Sequence, residues 1–522
     1  MSRFSGTPHQ DSQKTSPGKG DPVLRTSSYT IYVDLPGNGE EMLLVHTYTG
    51  AFDRVSRRVA TWVRSLEVGR PPKPLYGEWT PEPPSAAGEA VPPSEATIEV
   101  LHRRGYLTPM TREEEEAFFT QYVEKLHALY LRRWPTYLFM PTYDCNLRCG
   151  YCFQDHMRTD GRFAHLLRRM TPEMADRLFA AMPKIEALHG IPADAEPQVE
   201  IGFFGGEPLL AANRPLVEHV IRRGRERGKA RFWAISNGTE LDAYEDLLSP
   251  DRLGSVQITL DGPPGEHDKR RVYADGQGSW ERIARNVRMA LDRGIMVAIR
   301  TNVDRTNLHG LAALAEEIAA QGWDRYPNFA SQVAPIRASN DKTDAKSTFN
   351  TWELDRQLTA MRESHPAVAV LGRQDDGLRN QARRIFSRRG LPSFKPSFCS
   401  AHTGMYIFDP FGDVYACWEK TGDEKVRIGH VDESSEVHFN FDLRALWQGR
   451  TVASNPVCRK CRYNLFCGGG CAVLAADRSG GDFYRNYCDG FAHRFRASVA
   501  EAYLDHAEGK AFADRPDAFC DL

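Results

Sequence analysis

Residues 144–153 read DCNLRCGYCF, and the three cysteines Cys145, Cys149 and Cys152 stand at the spacing C-x3-C-x2-C. A closed structural zinc site takes four ligands, and a [4Fe–4S] cluster ordinarily takes four thiolates. Three thiolates on a four-iron cluster leave one iron open, a place to bind and break a further molecule. Thiolates are soft ligands suited to such clusters, and this loop is tight enough to set three sulfurs around one cube. A zinc knuckle and three buried thiols are the competing readings of this stretch taken alone.

The chain has 522 residues, 41% hydrophobic and 26% charged, with a net charge of −2. That length supports a large core and roughly two to four domains. The near-neutral balance gives no basic footprint, so neither nucleic acid nor an acidic membrane surface is an expected partner. No apolar run reaches membrane-spanning length. The opening MSRFSGTPHQDSQKTSPGKGDP lacks the apolar core of a secretory signal, and a cytoplasmic location is expected. In that setting cysteines point to metal or catalysis before disulfides. The eleven cysteines are also clustered: three lie at 145–152, seven between Cys399 and Cys488, and Cys520 alone falls outside.

Residues 1–27 read as a disordered polar tail. Residues 28–135 form a small α+β unit, in which TIYVDLP and EMLLVHTYTG look like paired strands and GAFDRVSRRVATWVRSL like an amphipathic helix. A Pro-rich linker, RPPKPLYGEWTPEPPSAAGEAVPP, interrupts it, and a helix follows from Thr111, with Glu114 at the capping-box position. Residues 136–345 alternate strand and helix. The strands are TYLFMP, PQVEIGFF, ARFWAIS, SVQITLDG, MVAIRTNV and FASQVAPI, and the helix after the first carries a Thr171 cap and Pro172 at its first position. Six such units predict parallel strands in an α/β partial (β/α)6 barrel, with the active site at the carboxyl ends of the strands. The cysteine triplet follows the first strand, at that end. Residues 346–398 read as a connecting helical segment, 399–491 as a Cys- and Gly-rich domain, and 492–522 as a C-terminal helix and tail.

Other residues fall at the same strand ends. Gly205-Gly206-Glu207 follows the second strand; glycine permits close backbone approach to a ligand, and the carboxylate can accept bonds from an ammonium group. Ser236 and Asn237 end the third strand and are placed to bond ribose hydroxyls. Thr259 and Asp261 end the fourth, and Arg271 beyond it can pair with a carboxylate. Arg300, Thr301 and Asn302 end the fifth. Each of these alone is equally compatible with a solvated loop.

Taken together, C-x3-C-x2-C after a first strand, GGE after the second and a six-unit (β/α) array resemble the radical S-adenosylmethionine superfamily, over roughly residues 136–345. The resemblance implies a [4Fe–4S] cluster on Cys145, Cys149 and Cys152. It implies that S-adenosylmethionine chelates the open iron and is cleaved reductively to methionine and a 5′-deoxyadenosyl radical, with electrons from a flavodoxin- or ferredoxin-type reductant. Tyr151, Gly206, Thr259 and Arg271 fall at positions that contact the cosubstrate in that family. The later cysteines, Cys399, Cys417, Cys458, Cys461, Cys467, Cys471 and Cys488, resemble the SPASM extension, which implies two auxiliary clusters. Cys458, Cys461, Cys467 and Cys488 would hold one, and Cys399, Cys417 and Cys471 the other. Relatives that modify sulfatases carry an eighth cysteine between the first two; here that interval has none, and His402, water or substrate is left as the fourth ligand.

Members with this extension mostly modify peptides or proteins. Maturation of a ribosomally made peptide is the leading expectation. Formylglycine formation on a sulfatase is the alternative, weakened because the aspartate base expected after Cys417 is replaced by Trp418, with Glu419 next as a substitute base. A non-catalytic electron-transfer protein is the reading from another class, and a cosubstrate site argues against it. The N-terminal unit loosely resembles a leader-peptide-binding winged helix, which would hold a peptide at a strand edge.

Overall fold

The computed structural model describes residues 24–69, 90–338 and 342–510. Residues 1–23 of the tail expected over 1–27, most of the Pro-rich linker and Cys520 lie outside them. Structure begins earlier than residue 28: β1 (Arg25–Thr26) is followed by β2 (Thr30–Asp34), β3 (Glu41–His46) and β4 (Phe52–Ser56), and β1 pairs with β5 (Leu107–Thr108). β2, β3 and β4 form an antiparallel sheet with β3 central. Its period of two is plain in the packing. Ile31, Val33, Leu43 and Val45 face the C-terminal helix Phe491–Ala507, through Phe495 and Val499. Tyr32, Met42 and Leu44 face Trp62, Val63 and Leu101 on the other side. The long helix expected from Gly50 is corrected: residues 52–56 are a strand, and the helix runs only over Arg57–Ser65, capped by the Ser56 side chain accepting from Val59 N. The apolar residues there suit either period, and pairing with β3 decides for the strand.

β6 (Thr136–Phe139), β7 (Gln198–Phe203), β8 (Lys229–Ser236), β9 (Leu253–Thr259), β10 (Met296–Val303) and β11 (Phe329–Pro335) lie side by side in chain order, all parallel. Helices Pro172–Leu188, Arg214–Arg227, Trp280–Asp292 and Leu311–Ala320 connect them, while the β8–β9 crossover is a short 3₁₀ segment, Leu241–Leu247. This is the α/β fold that the alternation predicts. Thr111 and Glu114 form the reciprocal cap of the preceding helix, and Thr171 caps the first crossover helix with Pro172 beside it.

The sheet does not stop at β6. β12 (Met405–Phe408) pairs with β6 in parallel, and β13 (Asp413–Tyr415), β14 (Gly429–Val431) and β15 (Val437–Phe439) continue it antiparallel to ten strands. One apolar core runs through the junction, with Leu138, Phe139, Ile201, Ile258, Ile299, Ile407 and Phe408 all fully buried. The Cys-rich region is thereby an extension of the core sheet, which brings Cys399 and Cys417, on either side of the β12–β13 hairpin, toward the parallel strands. Among the described residues, no helix is long and apolar enough to cross a membrane.

Candidate active site

The cysteine loop is pinned at both ends. Gly206 N donates to Thr142 O at 3.0 Å and Glu207 N to Asp144 O at 2.8 Å, while Arg148 N donates to Val272 O at 2.8 Å. The close approach that Gly205 and Gly206 permit is therefore to the chain's own backbone: a Cβ on Gly206 would lie 2.1 Å from Asp144 O. Glu207 is buried and already engaged. Its Oε1 accepts from Ser236 Oγ at 2.7 Å and Leu209 N at 2.8 Å, and its Oε2 from Asn237 N at 2.6 Å. Burial raises its pKa to about 7, against the pull of those hydrogen bonds. Asn237 in turn donates to Asn146 Oδ1 at 2.8 Å and lies 3.7 Å from Cys145 Sγ. In this structure Ser236 and Asn237 thus brace the cysteine loop through Glu207.

Cys145 and Cys149 are 9% and 7% exposed, so their sulfurs stand at a wall rather than in bulk water. Burial raises both thiols, to about 12 and about 11, and each feels a neighbouring thiol, Cys149 for Cys145 and Cys152 for Cys149. Among the described residues, no three Cys, His, Asp or Glu side chains stand close enough for a single metal ion. Two guanidiniums offset the charge that three thiolates would carry. Arg158 Nη2 donates to Cys152 Sγ at 3.1 Å, and Arg271 acts electrostatically on Cys149. Nothing in the sequence marks Arg158; it is simply the next arginine in the short helix after the triplet.

On the other flank, Arg271 Nη1 donates to Tyr151 Oη at 2.6 Å, Tyr151 donates to Asp261 Oδ2, and Asn302 N donates to Asp261 Oδ1 at 3.0 Å. Burial drives the Tyr151 phenol well above its ordinary value. Arg271 Nε and Thr301 Oγ1 are buried without a hydrogen-bond partner. Thr259 closes β9 opposite Arg300 of β10. The strand ends named from the sequence therefore border the cysteine loop on its two flanks. Three neighbouring thiols, the buried Arg271, the half-buried Arg158 and an unused N–H donor suit a three-thiolate cluster with an anionic, ribose-bearing partner.

The seven later cysteines fall into two groups. Cys417 feels Cys399 and Cys471, whereas Cys458 feels Cys461, Cys467 and Cys488; burial is the larger cause and raises both thiols well above the ordinary value. The first group faces the parallel strands: Trp418 packs on Phe204 with ring centroids 5.4 Å apart, and Glu419 accepts from Arg337 Nη1 at 3.3 Å. Arg337 and Arg300 repel one another, and burial together with that repulsion lowers the Arg300 pKa. His402 is fully buried; its Nδ1 donates to Trp447 O at 2.8 Å, and its Nε2 has no partner.

Comparison with known proteins agrees with this geometry. Residues 139–318 match the model of the radical SAM superfamily. A cysteine-type anaerobic sulfatase-maturating enzyme of Clostridium novyi is 23% identical over 350 residues, 63% of this chain and 85% of that protein. Mycofactocin maturase MftC of Mycolicibacterium smegmatis is 24% identical over 342 residues, 63% of this chain and 76% of that protein. Among solved structures, native anSMEcpe with bound AdoMet superposes with a TM-score of 0.53 at 16% identity, covering 72% of this chain and 99% of that one. The chain is thus an enzyme, and its residues 139–318 are a radical SAM domain, a family that implies a [4Fe–4S] cluster and S-adenosylmethionine.

Proposed function

We propose that this enzyme modifies a peptide, most simply one made on the ribosome, and that it carries three [4Fe–4S] clusters. Cys145, Cys149 and Cys152 hold the first. Cys399, Cys417 and Cys471 hold the second, and Cys458, Cys461, Cys467 and Cys488 the third. The observation that carries this reading is the gathering of ten cysteines into three groups, one of them turned toward the strand ends through Trp418 and Phe204. When bound, the first cluster and S-adenosylmethionine supply a carbon-centred radical able to take hydrogen from an unactivated C–H bond. The chain's own residues position that chemistry. Arg271 and Tyr151 orient the cosubstrate, Glu207, Ser236 and Asn237 fix the cysteine loop beside it, and Thr259 lines the approach. Glu419 receives a substrate proton, with Arg337 holding its carboxylate in place.

Two of the similar proteins support this reading: anSMEcpe has been solved with a bound peptide, and MftC is named a maturase. The N-terminal sheet offers β4 as an edge for a leader peptide. The electrons come from a flavodoxin- or ferredoxin-type protein in the cytoplasm. Sulfatase maturation is the second reading, favoured by the similarity to the Clostridium enzymes; Trp418 in place of an aspartate after Cys417 stands against it.

The test is an iron count joined to two product assays. Anaerobically reconstituted enzyme is expected to hold about twelve irons and to form 5′-deoxyadenosine from S-adenosylmethionine and dithionite. Cys417→Ala should hold about eight irons, keep that cleavage within about threefold and lose peptide modification. Equal loss of both activities would remove the substrate-side role of the second cluster. A cysteine-bearing sulfatase peptide converted to formylglycine would establish the second reading. Arg271→Gln is expected to raise the KM for S-adenosylmethionine ~10- to 100-fold, the worth of one charge-assisted hydrogen bond.

A further inference from the structure

Arg450 is a buried cation that the function proposed above does not use. It is 3% exposed and follows the helix Phe441–Gln448. Its fork is spent on backbone carbonyls. Nε donates to Phe483 O at 2.9 Å, Nη1 to Gly470 O at 2.9 Å, and Nη2 to Gly469 O at 3.3 Å and Arg485 O at 2.9 Å. Gly469 and Gly470 lie between Cys467, of the four-cysteine group, and Cys471, of the three-cysteine group. Arg485 lies just ahead of Cys488. One guanidinium therefore ties together the chain segments that carry both groups.

Carbonyl oxygens solvate this charge but do not neutralise it. Burial lowers the Arg450 pKa, and the groups that oppose this are Cys458, Cys471, Cys399 and Cys467, two from each group. None of its four hydrogen-bond partners is a carboxylate. Two other cations that act on these cysteines are matched by carboxylates: Arg494 by Asp489 at 2.7 Å and by Asp375, and Arg337 by Glu419 at 3.3 Å. A buried charge without a counter-charge is strongly unfavourable. Protonated thiols would leave Arg450 in that condition, whereas thiolates held on iron would not. The cation thus belongs with two anionic centres, one on each side of it.

We propose that Arg450 is a positioning residue shared by the two auxiliary clusters, and that its fixed charge raises the reduction potential of both together. The inference rests on the three-cluster reading. Reduction adds one electron, and hence one negative charge, to a cluster. A cation held nearby at low dielectric stabilises that reduced form, and net charge and hydrogen bonding are what set such potentials. Because one residue serves both groups, its removal has to move both potentials in the same direction.

The test is a dithionite titration of the reconstituted full-length enzyme followed by EPR, with and without S-adenosylmethionine to separate the signal of the first cluster. Iron content of the wild type is read first, and about four irons would overturn the three-cluster reading and this inference with it. With about twelve, Arg450→Gln is expected to retain its iron while both auxiliary midpoint potentials become more negative, and Arg450→Lys to stay near the wild type. Iron retained in Arg450→Gln with either potential unmoved overturns the proposal. Should Arg450→Gln lose its auxiliary iron, Arg450→Lys decides: potentials near the wild type support a role for charge, and potentials that fall despite the retained charge overturn it.

Discussion

Cys149→Ala is expected to abolish 5′-deoxyadenosine formation and to lower iron from about twelve to about eight per chain. Cys149 is the middle cysteine of the triplet, is buried, and feels the charges of both Arg271 and Cys152. Two remaining thiolates cannot hold a cube whose fourth iron must stay open for the cosubstrate. The substitution is small and costs little packing, since a thiol and a methyl differ by one heavy atom, so the fold and the auxiliary clusters should survive it. Three readings of one sample decide the matter: iron and sulfide content, nucleoside product by chromatography, and the thermal unfolding midpoint. Product in Cys149→Ala at the wild-type rate would remove the triplet from its assigned role, whatever the state of the other cysteines.

The core was legible because its signals are local. Each of the six parallel strands is a short apolar run, and five of them carry a candidate site residue at or soon after the carboxyl end. Cys145, Glu207, Ser236, Thr259 and Asn302 could all be placed from that rule alone. What escaped depends on contacts between residues far apart in the chain. No local pattern announces that β12 pairs with β6, because a parallel partner leaves no turn between the two strands. The strand Phe52–Ser56 was hidden for another reason: its apolar residues fit a helical stripe as well as an alternating one, and an antiparallel neighbour settled the choice. Arg158 and Arg450 carry no motif either. An arginine is ordinarily a surface residue, and only tertiary contact distinguishes these two: the half-buried Arg158 by its bond to Cys152, and Arg450 by burial among carbonyls.

The same contrast shows how the site divides its labour. Glu207, Ser236 and Asn237 appeared in the sequence as ligand-binding groups, yet their hydrogen bonds run to one another and to the cysteine loop. Tyr151, Asp261, Arg271 and Asn302 form a second chain of bonds on the opposite flank, and there a donor, Arg271 Nε, is left over. The first set holds the loop in place, and the second has capacity to hold something else.

That division makes Gly206 the most informative glycine to change. Gly206→Ala is expected to cost S-adenosylmethionine cleavage about 100-fold or more, the penalty for shifting a catalytic group by about an ångström. A Cβ there would lie 2.1 Å from Asp144 O and 2.4 Å from Tyr143 O, both backbone atoms just ahead of Cys145. Neither side can yield cheaply. The Gly206 amide is bonded to Thr142 O, and the Glu207 carboxylate beyond it is held by three donors. The strain therefore passes into the cysteine loop, and iron at the triplet should fall while auxiliary iron remains. Gly265→Ala is the matched control: it lies at the same end of the sheet, in the helix Pro264–Arg270, and a Cβ there meets nothing within 4 Å. Full activity in Gly265→Ala with loss in Gly206→Ala would establish that the glycine pair serves the cysteine loop through backbone contact. Full activity in both would mean that the loop can move aside, and that the GGE segment acts on the cosubstrate alone.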